Sequence, residues 1–140
     1  MPANQERLAL LREVVRSEHP RSQSALRAAL AAHGVAVTQA TVSRDIKDCH
    51  LEKDGQGAYA LPEDIHLARL LAELADEVTI AQNLLLLRCK PGSASAVAAA
   101  LDAAALPELA GTIAGDDTVL MVATDSDKAV RLAARIERIK

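Results

Sequence analysis

The chain has no tryptophan and no phenylalanine, and Tyr59 is its only aromatic side chain. Half of its 140 residues are hydrophobic, so any core must be built almost entirely from aliphatic side chains and alanine. Small domains with such cores are marginal alone, which favours burial between subunits. Long hydrophobic runs are missing too. No segment approaches the roughly 18 consecutive apolar residues of a membrane span. The first residues carry Asn4, Gln5, Glu6 and Arg7 in place of a secretory pattern. The expectation is a cytoplasmic protein without a membrane partner.

Cysteine is scarce. Cys49 and Cys89 lie in different segments without metal-ligand spacing, which fits buried free thiols in a reducing compartment. The histidines, His19, His33, His50 and His66, form no zinc pattern and stand near no plausible nucleophile. No catalytic residue, metal or cofactor is therefore expected, and an enzyme is the least favoured class. The net charge of −3 hides an asymmetry. Up to Pro62 the basic residues slightly outnumber the acids, whereas beyond it the acids dominate, which suggests a division of labour between halves.

What is present centres on Gly111-Thr112-Ile113-Ala114-Gly115-Asp116-Asp117-Thr118, followed by Val119-Leu120-Met121-Val122. Two β-prone arms flank a Gly-Asp-Asp corner, which predicts a hairpin with adjacent carboxylates at its tip. Gly115 is expected to supply the positive φ of a tight turn. Three readings compete for Asp116 and Asp117. A solvated turn is the simplest, since Asp favours turns. A Mg²⁺ site is the second, because Gly-Asp-Asp resembles the catalytic hairpin of template-copying polymerases, although this chain is far too short for one. The third is recognition of a cation such as a guanidinium, whose planar fork of donors suits paired carboxylates.

Taken in order, Asn4 is a candidate N-cap for a first helix with Leu8, Leu11 and Val15 on one face, stopping near His19 because Pro20 follows. Ser22 can cap a second helix, with Gly34 at its left-handed end. Thr38 can cap a third, Gln39 to about Cys49. On it Val42, Ile46 and Cys49 form an inward stripe, while Ala40, Ser43, Arg44 and Lys47 gather on the opposite side. Such a face suits a major groove, Arg reading guanine edges and Ser or Lys holding phosphate, but an ordinary solvated face is also consistent with it. Residues 51–61 then read as a short hairpin with a Gly-rich tip, completing the layout of a winged helix-turn-helix. On that hairpin Tyr59 is read as a packing residue.

Beyond Pro62 the pattern gives a linker, a short helix carrying Leu67, Leu70, Leu71 and Leu74, and strands at Val78–Ile80 and Leu84–Leu87 joined across Gln82-Asn83. Ser93 can cap an Ala-rich helix ending near Ala105. After the hairpin 109–124, Asp125 or Ser126 opens a terminal helix. Its Val130, Ala133 and Ile136 are expected to face inward, and Lys128, Arg131, Arg135 and Arg138 largely outward. Strand pairs alternating with helices give an α+β sandwich with one covered sheet face.

Thr38-Gln39-Ala40-Thr41-Val42-Ser43-Arg44-Asp45-Ile46-Lys47 with Tyr59-Ala60-Leu61-Pro62 resembles the DNA-binding domain of the bacterial arginine repressor family. Residues 111–118 resemble that family's ligand-binding signature. The match covers most of the chain, with both motifs in the expected order and spacing. It implies a winged helix-turn-helix domain over 1–62, a linker over 63–66 and an arginine-binding oligomerisation domain over 67–140. It implies operator contacts from Gln39, Ala40, Ser43, Arg44 and Lys47. L-arginine, as co-effector, would lie between two trimers of a hexamer, near Asp116, Asp117, Asp102, Ser95, Thr112 and Ala114. Ser95 is a departure, because members usually carry Gln or another longer polar residue there; water can fill the gap. The function implied is an arginine-responsive regulator of arginine biosynthesis and catabolism genes. The alternative from another class is an amino-acid-binding regulatory subunit of an enzyme, without DNA binding.

Overall fold

The computed structural model describes residues 2–140, with side chains from Asn4 onward. Met1, the first residue of the expected N-terminal domain, lies outside the described residues. The chain divides into two compact units, Met1–Ile65 and His66–Lys140.

The first unit contains α1 (Pro2–Glu18), α2 (Gln23–Ala32), α3 (Gln39–Asp48) and a two-stranded ribbon of β1 (Glu52–Lys53) and β2 (Tyr59–Ala60). Asn4 falls inside α1, so it does not cap that helix; its Oδ1 instead accepts from Arg7 Nη2 at 2.6 Å. The helix ends at Glu18; His19 takes φ +50° ahead of Pro20, and the clash of the proline ring with the residue before it disfavours continuing the helix. The Ser22 hydroxyl accepts from Ala25 N at 3.0 Å, and Thr38 accepts from Thr41 N at 3.2 Å, which satisfies an otherwise orphaned amide at each start. Gly34, at φ +85°, follows α2 in the left-handed conformation that lacks a Cβ penalty only for glycine. Leu11, Val14, Val15, Leu26, Leu30, Val42, Leu51 and Leu61 form the core, with Tyr59 packed at its edge.

A helix, α4 (Pro62–Leu74), begins at the residues expected to form the linker. Positions 63–66 are thus helical, and the division between the units falls within α4. Its first turn is fixed by the first unit: Arg16 donates to both oxygens of Asp64 at 2.7 and 2.9 Å, and Arg12 pairs with Glu63.

The second unit contributes β3 (Ala75–Ala81), β4 (Leu84–Cys89), α5 (Ala94–Ala104), β5 (Leu109–Ala114), β6 (Thr118–Ala123) and α6 (Ser126–Ile139). Its strands form one antiparallel sheet in the order β3-β4-β6-β5. Leu85, Leu87 and Cys89 alternate inward from β4, and Val119, Met121 and Ala123 from β6, against helical Leu67, Leu71, Val97, Leu101, Leu132 and Ile136. The opposite sheet face carries a directly paired row of Thr79, Leu86, Leu120 and Ile113. Asp125 caps α6 by accepting from Lys128 N at 2.7 Å.

Three local expectations require correction. Ser93 stands at the head of α5, but its hydroxyl donates to Lys90 O at 2.6 Å and makes no capping bond. The buried stripe of α6 is Ala129, Leu132 and Ile136, and Val130, a third of a turn away, is 59% exposed. Arg135 does not point wholly outward: its Nη2 and Nε donate to Glu108 at 2.6 and 3.2 Å.

Candidate functional site

On the first unit the prospective reading face belongs to α3. Gln39, Ala40, Arg44 and Lys47 are exposed and Ser43 is half-buried. Among the described residues neither Arg44 nor Lys47 has an ion-pair partner, although the same helix carries Asp45 and Asp48. Two cations three positions apart on one helix face repel each other and gain from an external anion. Gln39 is less free, since its amide donates to Gln23 Oε1 at the head of α2. Arg27 Nε donates to Val37 O at 2.7 Å, which holds the segment entering α3.

The ribbon is braced internally. The Lys53 ammonium lies 4.0 Å from the centre of the Tyr59 ring and donates to the carbonyls of Arg21 and Gly57. Tyr59 is accordingly a packing residue. Asp54 Oδ1 accepts from Gln56 N and Ala58 N at 2.8 and 3.0 Å. Burial pushes the Asp54 carboxyl up, but these amides and the charge of His19 outweigh it and leave it below the ordinary value.

Sequence reasoning passed over Asp45, which turns out to be the most buried charged side chain of α3, at 1% exposed. It lies three residues after Val42 and four before Cys49, within the inward stripe. A carboxylate on such a stripe signals a cationic partner, because an unpaired buried charge is prohibitively costly. That partner is Arg7 of α1, whose Nε and Nη2 donate to the two Asp45 oxygens at 2.8 and 2.9 Å.

On the second unit, the corner between β5 and β6 exposes both Asp116 and Asp117. Its backbone is firmly held: Ala94 N donates to Asp116 O at 3.2 Å, and Cys89 N donates to Asp117 O at 2.7 Å. The head of α5 and the end of β4 thus fix the corner while the carboxylates face outward. Gly115 does not adopt positive φ, and a Cβ there would make only an ordinary contact with Thr118 O at 3.4 Å. The Gly115 N–H···O Thr118 bond of 2.8 Å closes the corner instead. Asp117 Oδ1 accepts from the Thr118 hydroxyl at 3.0 Å, and that hydroxyl accepts from Arg88 Nη1 at 3.2 Å. Among the described residues the Asp116 carboxylate has no partner.

The other expected ligand residues divide into two places. Ser95 is exposed on the first turn of α5, next to the Ala94 amide that holds Asp116. Asp102 lies seven positions along the same helix, about 10 Å of rise away. There the Thr112 hydroxyl stands 3.1 Å from each Asp102 oxygen. Ala114 turns toward the core. One chain therefore presents two separate acidic clusters, the corner carboxylates and the Asp102–Thr112 contact. The thiols play no part: burial pushes both Cys49 and Cys89 up, away from the reactive thiolate.

Residues 3–67 match the family model described as the arginine repressor DNA binding domain, and residues 71–138 match that of the arginine repressor C-terminal domain. The chain belongs to the arginine repressor family. It is 43% identical over 141 positions to the arginine repressor of Symbiobacterium thermophilum, with 94% of each chain covered. It is 40% identical to that of Koribacter versatilis, covering 95% of each. Membership in the arginine repressor family makes the chain an arginine-responsive transcriptional regulator. The two units described above correspond to that family's DNA-binding and C-terminal domains. No helix among the described residues is long and apolar enough to cross a membrane.

Proposed function

We propose that this protein is a cytoplasmic regulator of arginine biosynthesis and catabolism genes that binds operator DNA with L-arginine as its co-effector. On this reading α3 enters the major groove, with Arg44 and Lys47 as principal contacts, Ser43 and Gln39 as polar support and Ala40 allowing close approach. The arginine guanidinium meets Asp116 and Asp117, and Asp102, held by Thr112, belongs to the same pocket. The domain boundaries are a DNA-binding unit up to Pro62 and an effector unit from Leu67, with the intervening residues as helix.

The observation that carries this reading is the pairing of surplus charges in a single chain. Among the described residues, cations without an ion-pair partner project from α3, and a carboxylate without a partner projects from a firmly held corner. The first suits phosphate and base edges, and the second suits a small cation. The separation of Ser95 from Asp102 supports a pocket completed by another copy of the chain. So does the apolar row of Leu86, Leu120 and Ile113 on the sheet face away from the helices. A homo-oligomer, trimer or hexamer, follows. Facing acids repel until a cationic amino acid neutralises them, which links effector binding to assembly. Assembly in turn raises avidity for adjacent half-sites.

The test is a gel-shift titration on a duplex selected in vitro by the protein, with and without saturating L-arginine. Tighter retention with arginine is expected. Superimposable titrations, or no sequence-specific retention at all, would sink the reading, the second outcome leaving only an effector-binding subunit.

A further inference from the structure

The reading helix has a weak apolar footing. Its fully buried side chains are Val42 and Asp45 alone, while Ile46 and Cys49 are half-buried at the edge of the core. Apolar contacts are non-directional, so a single buried valine sets how deep a helix sits but not its rotation about its own axis. Rotation matters here. A helix with its side chains is about 10–12 Å across, so a roll of about 20° displaces a side-chain tip by about 2 Å. That exceeds the tolerance of a hydrogen bond to a base edge.

The Arg7–Asp45 pair has the directionality that Val42 lacks. Two parallel N–H···O bonds of 2.8 and 2.9 Å constrain angle as well as distance. Arg7 is itself held, by donation from Nη2 to Asn4 Oδ1 on the preceding turn of α1. Asp45 immediately follows Arg44, so fixing the Asp45 carboxylate against α1 fixes the direction in which Arg44 leaves α3. The fork also neutralises the buried carboxylate on the helix that carries Arg44. This is a use of charge that operator contact alone does not require, because the Asp45 carboxylate, 1% exposed, is too buried to touch a duplex itself.

We infer that Arg7 and Asp45 are positioning residues for operator recognition, setting the roll of α3 and hence the aim of Arg44. The inference rests on α3 being the reading helix. It predicts a specific signature: loss of the pair lowers discrimination between sequences and leaves general attraction to phosphate unchanged. A merely structural pair would lower stability and spare the discrimination of whatever molecules remain folded.

The experiment uses the full-length protein with saturating L-arginine. Affinities are measured for a duplex selected in vitro by the wild-type protein and for a shuffled duplex, across a salt series, with thermal melting followed by circular dichroism. Two variants are compared, Asp45→Asn and the double variant Arg7→Met/Asp45→Leu. The double variant replaces a buried pair by apolar contact, an exchange that often preserves stability. The expected result is a selected-to-shuffled ratio about tenfold lower in both, within the range carried by one bidentate base contact. Shuffled-duplex affinity and the salt slope should stay at wild-type values. A wild-type ratio in either folded variant overturns the proposal, and so does equal weakening on both duplexes. Should neither variant fold, the pair supports the fold and not the aim, and the proposal falls as well. Failure of the wild-type protein to discriminate the two duplexes would instead refute the reading of α3 itself.

Discussion

The Thr112 hydroxyl lies 3.1 Å from both oxygens of Asp102, tying the outer face of α5 to β5. With one hydrogen to share between the two oxygens, it restrains the orientation of the carboxylate. Thr112→Val is nearly isosteric and removes only the donor. An intramolecular hydrogen bond contributes about 0.5–1.5 kcal/mol. Arginine affinity by calorimetry should therefore fall about 2- to 10-fold, with little change in melting temperature. Wild-type affinity in this variant would detach Asp102 from the effector pocket.

The two corner carboxylates should not be equivalent. Asp117 already accepts from Thr118, which is in turn supported by Arg88, whereas Asp116 has no partner among the described residues. A hydrogen bond to a charged group contributes about 1.5–3 kcal/mol. Asp116→Asn and Asp117→Asn should each weaken arginine binding by about tenfold or more. Asp117→Asn should in addition leave Thr118 and Arg88 to rearrange. Calorimetric titration of both variants checks this, and retention of wild-type affinity in both would remove the corner from the site.

Much of this was legible from local chemistry. Ser22, Thr38 and Asp125 all cap helices as their side-chain oxygens predict, because the acceptor and the orphan amide lie within three residues. Ser93 escaped the same rule because the Lys90 carbonyl, on its other side, captured its hydroxyl. Gly115 escaped because a closing hydrogen bond to Thr118 makes the corner without a left-handed residue. Of the inward stripe expected for α6, Ile136 is buried and Ala133 packs against the core, but Val130 is exposed and Ala129, too weak an apolar signal to stand out, takes its place. Long-range partners were invisible in principle. Nothing near Asp45 announces Arg7, 38 residues away, and nothing near Glu108 announces Arg135. The sequence pattern shows only that a charge lies on a buried stripe.

Glu108 gives the second unit an acid-sensitive contact. Burial pushes its carboxyl up, but the Arg135 fork, its own backbone amide and the charge of Arg131 together hold it below the ordinary 4.5. A carboxyl depressed in the folded state stabilises fully above its unfolded value and loses that contribution as pH falls through the folded one. The stabilisation should therefore be intact above about pH 4.5 and fade below it. Melting curves from pH 6 to pH 3 should show wild type and Glu108→Gln well separated at the upper end and converging at the lower. A constant separation would mean that Glu108 acts by packing alone.

Arg44 and Lys47 project from one face of α3 but should fail differently. If Arg44 reads a base, Arg44→Ala costs about 1–3 kcal/mol on the selected duplex and much less on a shuffled one. If Lys47 holds phosphate, Lys47→Ala weakens both duplexes alike and reduces the log–log salt slope by about 0.9. Fluorescence anisotropy on the two duplexes across a salt series separates these outcomes. Identical behaviour of the two variants would contradict the assignment of distinct roles.

Ile113 allows the open sheet face to be tested against an internal control. It is 67% exposed and stands opposite Leu120, which stands opposite Leu86, so its exposure continues an apolar row. Val130 is exposed to a similar degree, at 59%, but projects from α6 beside Arg131 and Lys128. Exposed single apolar residues are common and mean little, whereas contiguous ones mark interfaces. Glutamate at either position should leave the folded monomer within about 0.5 kcal/mol, since neither side chain lies in the core. If the row is a subunit interface, Ile113→Glu buries an unpaired charge at every contact and lowers the mass measured by light scattering toward that of a monomer. Val130→Glu should then leave the mass unchanged. An unchanged mass in Ile113→Glu would mean that subunits meet elsewhere, and that the row is only the exposed back of a one-sided sheet.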